Sequence, residues 1–216
     1  MMKIIGFSAG VIGHNSNVDR MVKAIMEETG HETEFVKLTE LDFSACKGCV
    51  QLCATPEVCR LEDALLPYYQ KVKEADAIVL GSPVHFNTIS ATMLAFISRL
   101  WGFRHVNFSL KEKPFILAVS SGHESHNAPD DFRKALEPFK VKVLDSVQFC
   151  SKIPPCFKCG RHTECRIGGA YHWLGPKARD LKIIPELFQK WENSSETVAH
   201  IKEAGAKLKD AISSLS

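Results

Sequence analysis

Short apolar segments alternate along this chain with longer stretches in which apolar residues recur every three or four positions. The short segments lie at residues 3–8, 34–38, 77–81, 115–120 and 141–149. Those at 77–81 and 115–120 are apolar almost throughout, which is typical of parallel strands buried on both faces. The pattern therefore predicts five β-strands, of which at least two lie at the centre of a sheet.

Helical periodicity occupies the intervals between these strands. Val18, Met21, Val22 and Ile25 form one apolar stripe at helical spacing. Further helices are predicted over residues 63–74, 89–100, 129–139, 183–191 and 197–213. Strands that alternate with helices in this way predict a doubly wound, mostly parallel five-stranded α/β sheet.

The chain of 216 residues shows no internal repeat and no low-complexity linker. This favours one domain with an extension. Residues 1–149 are predicted to form the main body, with a cysteine-rich segment at 45–60. Residues 150–216 are predicted to form a cysteine-rich loop and C-terminal helices that belong to the same domain.

Composition and charge exclude several classes of function. The net charge is only +2, and the 27 basic residues are scattered rather than concentrated, which argues against nucleic acid as a partner. No segment approaches the roughly 20 apolar residues that cross a bilayer, so no membrane partner is expected. The apolar N-terminus lacks a basic region followed by a cleavage site. We therefore expect a cytoplasmic protein.

The eight cysteines fall into two groups, and this is the unusual feature of the composition. The first group is Cys46-x2-Cys49-x3-Cys53-x5-Cys59, and the second is Cys150 with Cys156-x2-Cys159-x5-Cys165. In a chain without a secretion signal, such clustering favours metal ligation over disulfides or buried free thiols. Four thiolates are the ligand set of a 4Fe–4S cluster, but they also bind zinc. Cys150 is the least certain ligand, because it ends a predicted strand and a buried thiol would suit that place.

Three loops leave the carboxyl ends of the predicted strands, where ligands bind in open α/β sheets. The first, residues 8–17, runs from a strand into a helix start, a place that favours a phosphate group. The third, residues 120–124, supplies small residues. Neither the P-loop nor the dinucleotide-binding glycine pattern is present, and ordinary turns have a similar composition.

The second loop, Gly81-Ser-Pro-Val-His-Phe-Asn87, is more distinctive. Pro83 stiffens it, His85 and Phe86 are suited to line a flat ring, and Asn87 tolerates a left-handed backbone. A tight turn without a ligand remains an alternative. No general acid or base stands out in these loops, so no catalytic residue is assigned.

The second loop and the helix after it, up to Arg99, resemble the flavin-ring loop and following helix of the NADPH-dependent FMN reductases, especially the iron–sulfur flavoproteins. Ala45-Cys-Lys-Gly-Cys49 also resembles the opening of the four-cysteine motif of that group. The similarity covers about residues 3–122. Three departures are visible: His85 replaces a tyrosine, Asn87 replaces a glycine, and the first loop has Ile12 near the place of an arginine.

The resemblance implies a flavodoxin-like fold that binds FMN at the three loops, which makes residues 1–149 the FMN-binding part. It assigns the phosphate to Ser8, Ser16, Asn17 and Val18. It assigns the flavin ring and ribityl chain to Pro83, Val84, His85, Phe86, Asn87, Ser121 and Gly122. The position of the first cysteine group favours a 4Fe–4S cluster there over zinc. For the second group, a second iron–sulfur cluster and zinc both remain open.

The function that these features predict is an electron-transfer iron–sulfur flavoprotein. It would pass electrons between a one-electron carrier, such as a ferredoxin-like protein, a 4Fe–4S cluster and FMN. The resemblance further implies a homo-oligomer, either a dimer or a tetramer. One alternative is an NAD(P)H-dependent FMN or quinone reductase whose cysteines hold structural zinc, and another is a flavin-free metal-binding interaction module.

Overall fold

A parallel sheet forms the centre of the computed structural model, which describes residues 2–55, 57–123, 127–153 and 156–214. Its strands are β1 (Lys3–Ser8), β2 (Glu32–Lys37), β3 (Ala77–His85), β5 (Pro114–Ser121) and β6 (Lys142–Cys150), in the spatial order β2-β1-β3-β5-β6. A two-residue strand, β4 (Thr88–Ile89), pairs antiparallel with the end of β3. This order is that of the flavodoxin-like fold, and the predicted doubly wound sheet is confirmed.

Helices cover both faces of the sheet. On one face lie α1 (Asn17–Glu27) and α8 (Ser195–Ser213), and on the other lie α3 (Leu66–Glu74), α4 (Ala91–Arg99) and α5 (Ala128–Leu136). Successive residues of a strand point to opposite faces. In β1, Ile4 therefore packs against the α1/α8 layer, whereas Ile5 and Phe7 pack against the other layer.

The remaining helices are short. They are α2 (Val50–Ala54), α6 (Cys156–Cys159) and α7 (Gly169–Leu174), together with 3-10 turns at Leu38–Glu40, Leu100–Arg104, Glu137–Phe139, Gly175–Asp180, Pro185–Leu187 and Trp191–Asn193. The predicted helix over 183–191 does not form, and two of these turns take its place. Pro185 disfavours helical backbone at the preceding residue, and Leu187 and Phe188 pack into a small separate apolar cluster.

Both cysteine groups lie in connections that leave the same edge of the sheet. The first follows β2 and the second follows β6, which are the two outer strands. Because parallel strands end at one edge, both connections begin at the carboxyl edge, one at each end of it. The second connection leads into α8, which packs on the sheet through Ile201, Leu208 and Ile212. No helix in the described ranges is long and apolar enough to cross a membrane.

Candidate functional site

A cleft of about 240 Å³ opens at the carboxyl edge of the sheet, where the loops after β1, β3 and β5 meet. The cleft brings together most of the residues that the sequence assigned to a flavin. These are Ser16, Asn17, Val18, Pro83, Val84, His85, Ser121 and Gly122. They come from three separate strand ends, so the structure places the predicted phosphate and ring residues around one space.

Three residues of the predicted set do not line this cleft. Ser8 is fully buried, and its hydroxyl donates to Asp19 Oδ1 at 2.6 Å. Phe86 is fully exposed and, with Asn87, forms the tip of the hairpin that joins β3 to β4. Both tip residues have positive φ, 52° and 62°, as a two-residue type I′ turn requires. The expected left-handed backbone at Asn87 is thus present.

The first loop is built around a buried carboxylate that sequence reasoning missed. Asp19 Oδ2 accepts hydrogen bonds from the backbone nitrogen of Ser16 at 2.8 Å and from its hydroxyl at 2.7 Å, and Lys37 Nζ lies 3.0 Å away. A Cβ on Gly10 would fall 2.2 Å from Asp19 Oδ1, so the loop needs glycine there. Because Lys37 compensates the carboxylate, the start of α1 keeps its preference for an anion.

The connection between β6 and α8 forms a further wall of the cleft. It contributes Ser151, Ile153, Lys158, Phe188 and Gln189. Among the described residues that line the cleft, Lys158 is the only lysine or arginine. The sequence offered no local signal for these residues, because they follow the first loop by more than 130 positions.

The far end of this connection is bound to the start of α1. Asn17 Nδ2 donates to the carbonyl of Gln189 at 3.1 Å, and the backbone nitrogen of Trp191 donates to Asn17 Oδ1 at 3.4 Å. Arg20 Nε also lies 2.5 Å from a Glu192 carboxylate oxygen. Since Asn17 both lines the cleft and holds the connection, the two parts of the site depend on each other.

The four cysteines of the first group line a second cavity of about 350 Å³ beside the end of α4. Cys53 and Cys59 are buried, whereas Cys46 is exposed. Burial raises the pKa of the Cys53 thiol, and the other three cysteines of the group raise it further. The four sulfurs of the first group are therefore close enough for electrostatic interaction across this cavity.

Several hydrogen bonds reach the sulfurs of the first group. Arg99 Nε donates to Cys59 Sγ at 3.1 Å, and the backbone nitrogen of Gly48 donates to Cys46 Sγ at 3.4 Å. His105 Nε2 lies 3.1 Å from Cys53 Sγ. Donors aimed at sulfur are the usual surroundings of thiolate ligands.

The second cysteine group is looser. Gly168 lies against two of its sulfurs: its nitrogen donates to Cys165 Sγ at 3.1 Å, and a Cβ there would lie 3.7 Å from Cys156 Sγ. The backbone nitrogen of Ala170 donates to Cys156 Sγ at 3.3 Å. Cys159 is exposed, and Cys150 is half-buried at the end of β6. The structure thus brings Cys156 and Cys165 to one glycine.

All eight cysteines are free thiols. In the part of the chain that the structure describes, no three histidine, cysteine or carboxylate side chains lie close enough to share a single metal ion. The first group instead surrounds a cavity, and this cavity and the cleft at the sheet edge have no lining residue in common. The chain therefore presents two separate candidate sites.

Most of the chain is similar to a known protein family. Residues 2–153 match the model of the family described as NADPH-dependent FMN reductase. An iron–sulfur flavoprotein of Methanocaldococcus jannaschii is 36% identical over 115 residues, which cover 52% of this chain and 58% of that protein. One of Archaeoglobus fulgidus is 32% identical over 105 residues, covering 47% and 51%. The chain thus spans about half the length of the curated relatives it matches.

Among solved structures, the flavodoxin-type WrbA-like protein of Agrobacterium tumefaciens superposes with a TM-score of 0.59. The superposition covers 99% of each chain, at 11% sequence identity. A likeness at this identity shows the fold alone. It agrees with the strand order and confirms the predicted flavodoxin-like architecture.

Proposed function

Because the chain belongs to the NADPH-dependent FMN reductase family, and its curated relatives there are iron–sulfur flavoproteins, we propose that it is an electron-transfer oxidoreductase with two cofactors. FMN occupies the cleft at the sheet edge, and a 4Fe–4S cluster is held by Cys46, Cys49, Cys53 and Cys59. FMN exchanges two electrons and a cluster one, so a chain with both connects two-electron to one-electron donors. The observation that carries the proposal is that all four of these cysteines line one cavity.

The cleft fits an FMN molecule in its chemistry. The start of α1 provides backbone N–H groups and the positive end of a helix, which suit a phosphate. Lys158 supplies the positive charge that the first loop lacks, where Ile12 stands near the place of an arginine. Pro83 to His85 and Ser121 to Gly122 lie side by side at the carboxyl ends of the adjacent strands β3 and β5, and both segments line the cleft. We therefore assign the ring to the part of the cleft that these two segments line.

The first cysteine cavity fits a cluster better than a zinc ion. A zinc ion holds four sulfurs at about 2.3 Å, which puts them within about 4 Å of one another. The cysteines here line a cavity and do not meet at one point, as the larger iron–sulfur core requires.

The second cysteine group is proposed as a further metal site, with Cys150, Cys156, Cys159 and Cys165 as ligands. Backbone N–H groups already reach two of these sulfurs. A second iron–sulfur cluster and a zinc ion remain the two alternatives. Either metal would fix α6, and α6 carries Lys158 at the flavin cleft.

The proposed electron donor is a ferredoxin-like carrier, and the proposed assembly is a homo-oligomer. Within one chain the cleft and the cluster cavity share no lining residue, which fits an arrangement in which a cluster approaches the flavin of a neighbouring copy. Light scattering coupled to size exclusion tests this part of the proposal. A monomer at working concentration would reject the oligomer.

Anaerobic purification followed by absorbance, iron and acid-labile sulfide analysis tests the cofactors directly. We expect flavin bands together with broad iron–sulfur absorption, and about four irons for each cluster. Flavin with zinc and no iron would reject the cluster. A protein with neither flavin nor metal, after reconstitution has been attempted, would reject the whole proposal.

A second candidate function follows from the family description itself, which names an NADPH-dependent FMN reductase. In that case the chain would reduce FMN or a quinone with NAD(P)H, and its cysteines would hold structural zinc. Rapid anaerobic mixing with NADPH separates the two functions. Flavin bleaching within seconds favours the reductase, whereas bleaching only with a reduced ferredoxin favours electron transfer.

A further inference from the structure

Arg99, the last residue of α4, has a fully buried guanidinium that contacts three groups. Its Nη1 lies 2.5 Å from Asp63 Oδ2 and donates to the carbonyl of Ser44 at 2.7 Å, while Nη2 donates to Asp63 Oδ1 at 3.1 Å. The remaining nitrogen, Nε, donates to Cys59 Sγ at 3.1 Å. A buried charge is tolerated only with such partners, so one of the four cysteines is part of what keeps this arginine in the core.

The guanidinium and its carboxylate partner stay ionised. The two contacts with the Asp63 carboxylate and the bond to the Ser44 carbonyl supply the countercharge and the acceptors that the buried guanidinium needs. Burial alone would raise the pKa of Asp63, yet Arg99 holds it below the usual range. Cys59 therefore faces a permanent cation.

A second donor lies in the same part of the core as this sulfur. The Tyr69 hydroxyl is buried and makes no hydrogen bond in the described part of the chain, and the Tyr69 ring lies 5.9 Å from the Arg99 guanidinium carbon. Tyr69 and Cys59 pack in the same buried cluster of the core. An unpaired hydroxyl beside a sulfur stabilises the thiolate when the sulfur carries its charge.

We propose that Arg99 is a positioning residue that holds Cys59 as a thiolate ligand and raises the reduction potential of the cluster bound there. The inference rests on the proposed function, because it requires the cluster. Adding an electron to a cluster adds negative charge, and hydrogen bonds from a cation to a ligand sulfur favour that state. Among the four cysteines, Cys59 is the one that contacts a buried arginine.

The test is an anaerobic reductive titration of the cluster with dithionite, followed by electron paramagnetic resonance. In Arg99→Met we expect the equilibrium constant for one-electron reduction of the cluster to fall about tenfold, which corresponds to a potential about 59 mV lower. Arg99→Lys keeps the charge but not the fork of donors, so a smaller fall is expected. Tyr69→Phe removes only the hydroxyl oxygen, and we expect it also to lower the equilibrium constant for reduction of the cluster.

Arg104 provides the matched control. Its guanidinium stacks on Trp101 at 4.3 Å from the ring centroid, and Trp101 lines the same cavity. Arg104→Met therefore removes a charge near the cavity and leaves the Arg99–Cys59 contact in place. We expect the equilibrium constant for reduction of the cluster to change less than threefold in this variant. Equal shifts in Arg99→Met and Arg104→Met would overturn the proposal, as would an unchanged potential in Arg99→Met.

Loss of Arg99 leaves the half-buried Asp63 carboxylate without its partner, so the double variant Arg99→Met/Asp63→Leu is also made. The FMN content of each variant reports the integrity of the fold, because the flavin cleft lies elsewhere. Iron-free wild-type protein would overturn the proposed cluster itself. Arg99 variants that bind a full complement of iron and keep the wild-type potential would overturn only the role of Arg99. Tyr69→Phe is a milder substitution for the same measurement.

Discussion

The two cysteine segments begin at opposite ends of the same sheet edge, but the chain holds them in different ways. The first is part of the main core: Cys59 packs in the largest apolar cluster and contacts the buried Arg99. The second lies in a connection with its own small cluster around Phe157, Ala170 and Ala178. A metal bound in the first segment would therefore be coupled to the fold, whereas one in the second would act mainly on the connection that forms a wall of the cleft.

The largest contrast is expected from replacing one sulfur in each segment. Cys59→Ser should remove most of the iron of the first site and lower the stability of the whole chain, since metal binding and folding are coupled. Cys159→Ser, at an exposed sulfur, should leave the iron of the first site unchanged and lower the melting temperature less. Iron analysis and calorimetry measure both effects. Equal losses of stability would show that the segments are not held differently.

Lys158 tests the link between the second segment and the cleft. In Lys158→Met we expect about tenfold weaker FMN binding, because Lys158 is exposed and its contact with a phosphate should contribute at the low end of the range for charge-assisted hydrogen bonds, about 1.5 kcal/mol. Riboflavin, which lacks the phosphate, should bind both proteins equally. Quenching of flavin fluorescence in the apoprotein gives the two dissociation constants.

The control for this test is Lys152→Met, a lysine of the same connection that does not line the cleft. It should leave FMN binding unchanged. If Lys158→Met weakens FMN and riboflavin to the same degree, the lysine does not recognise the phosphate. In that case the charge of the connection serves another purpose.

Gly168→Ala should produce a smaller effect, confined to the second segment. The new Cβ would lie 3.1 Å from Cys165 Sγ, which displaces one proposed ligand. We expect less metal at the second site and FMN binding that is weaker by only a few fold. The effect on FMN is small because Asn17 still holds the far end of the connection. The iron of the first site, measured in the same sample, is the internal control. A parallel loss of that iron would contradict the separation of the two sites.

The smallest difference concerns acid stability. The pKa of Asp63 is lowered by Arg99 and that of Glu192 by Arg20, although burial opposes both shifts. A carboxyl with a depressed folded-state pKa stabilises the fold above its unfolded pKa, about 4, and this stability is lost as the pH falls through the folded value.

Urea unfolding of the metal-free chain between pH 3 and pH 7 measures this contribution. Asp63→Asn should remove more of the acid-dependent part of the unfolding free energy than Glu192→Gln. The reason is burial: the Arg99 side chain is fully buried, whereas both side chains of the Arg20–Glu192 pair are partly exposed to solvent. Exposed pairs contribute little. A larger effect of Glu192→Gln would reverse the ranking.

Local pattern was sufficient for most of the architecture. Short, nearly continuous apolar segments predicted five strands, and helical spacing predicted the helices between them, because neighbouring residues carry the pattern of burial within a strand or along a helix face. The spacing of Cys46 to Cys59 likewise singled out a ligand set within 14 positions. The helix predicted over 183–191 was wrong, since apolar residues there pack around turns that Pro185 imposes.

The tertiary structure decided which remote side chains meet. Asp19 pairs with Lys37, Arg99 reaches Cys59 from 40 positions away, and Asn17 binds Gln189 across 172 positions. These contacts direct Ser8 to an internal hydrogen bond and bring Lys158 to the cleft. No local sequence pattern predicts these contacts. They form only when the folded sheet brings the ends of the strands together at one edge and when each buried charge is paired with a partner.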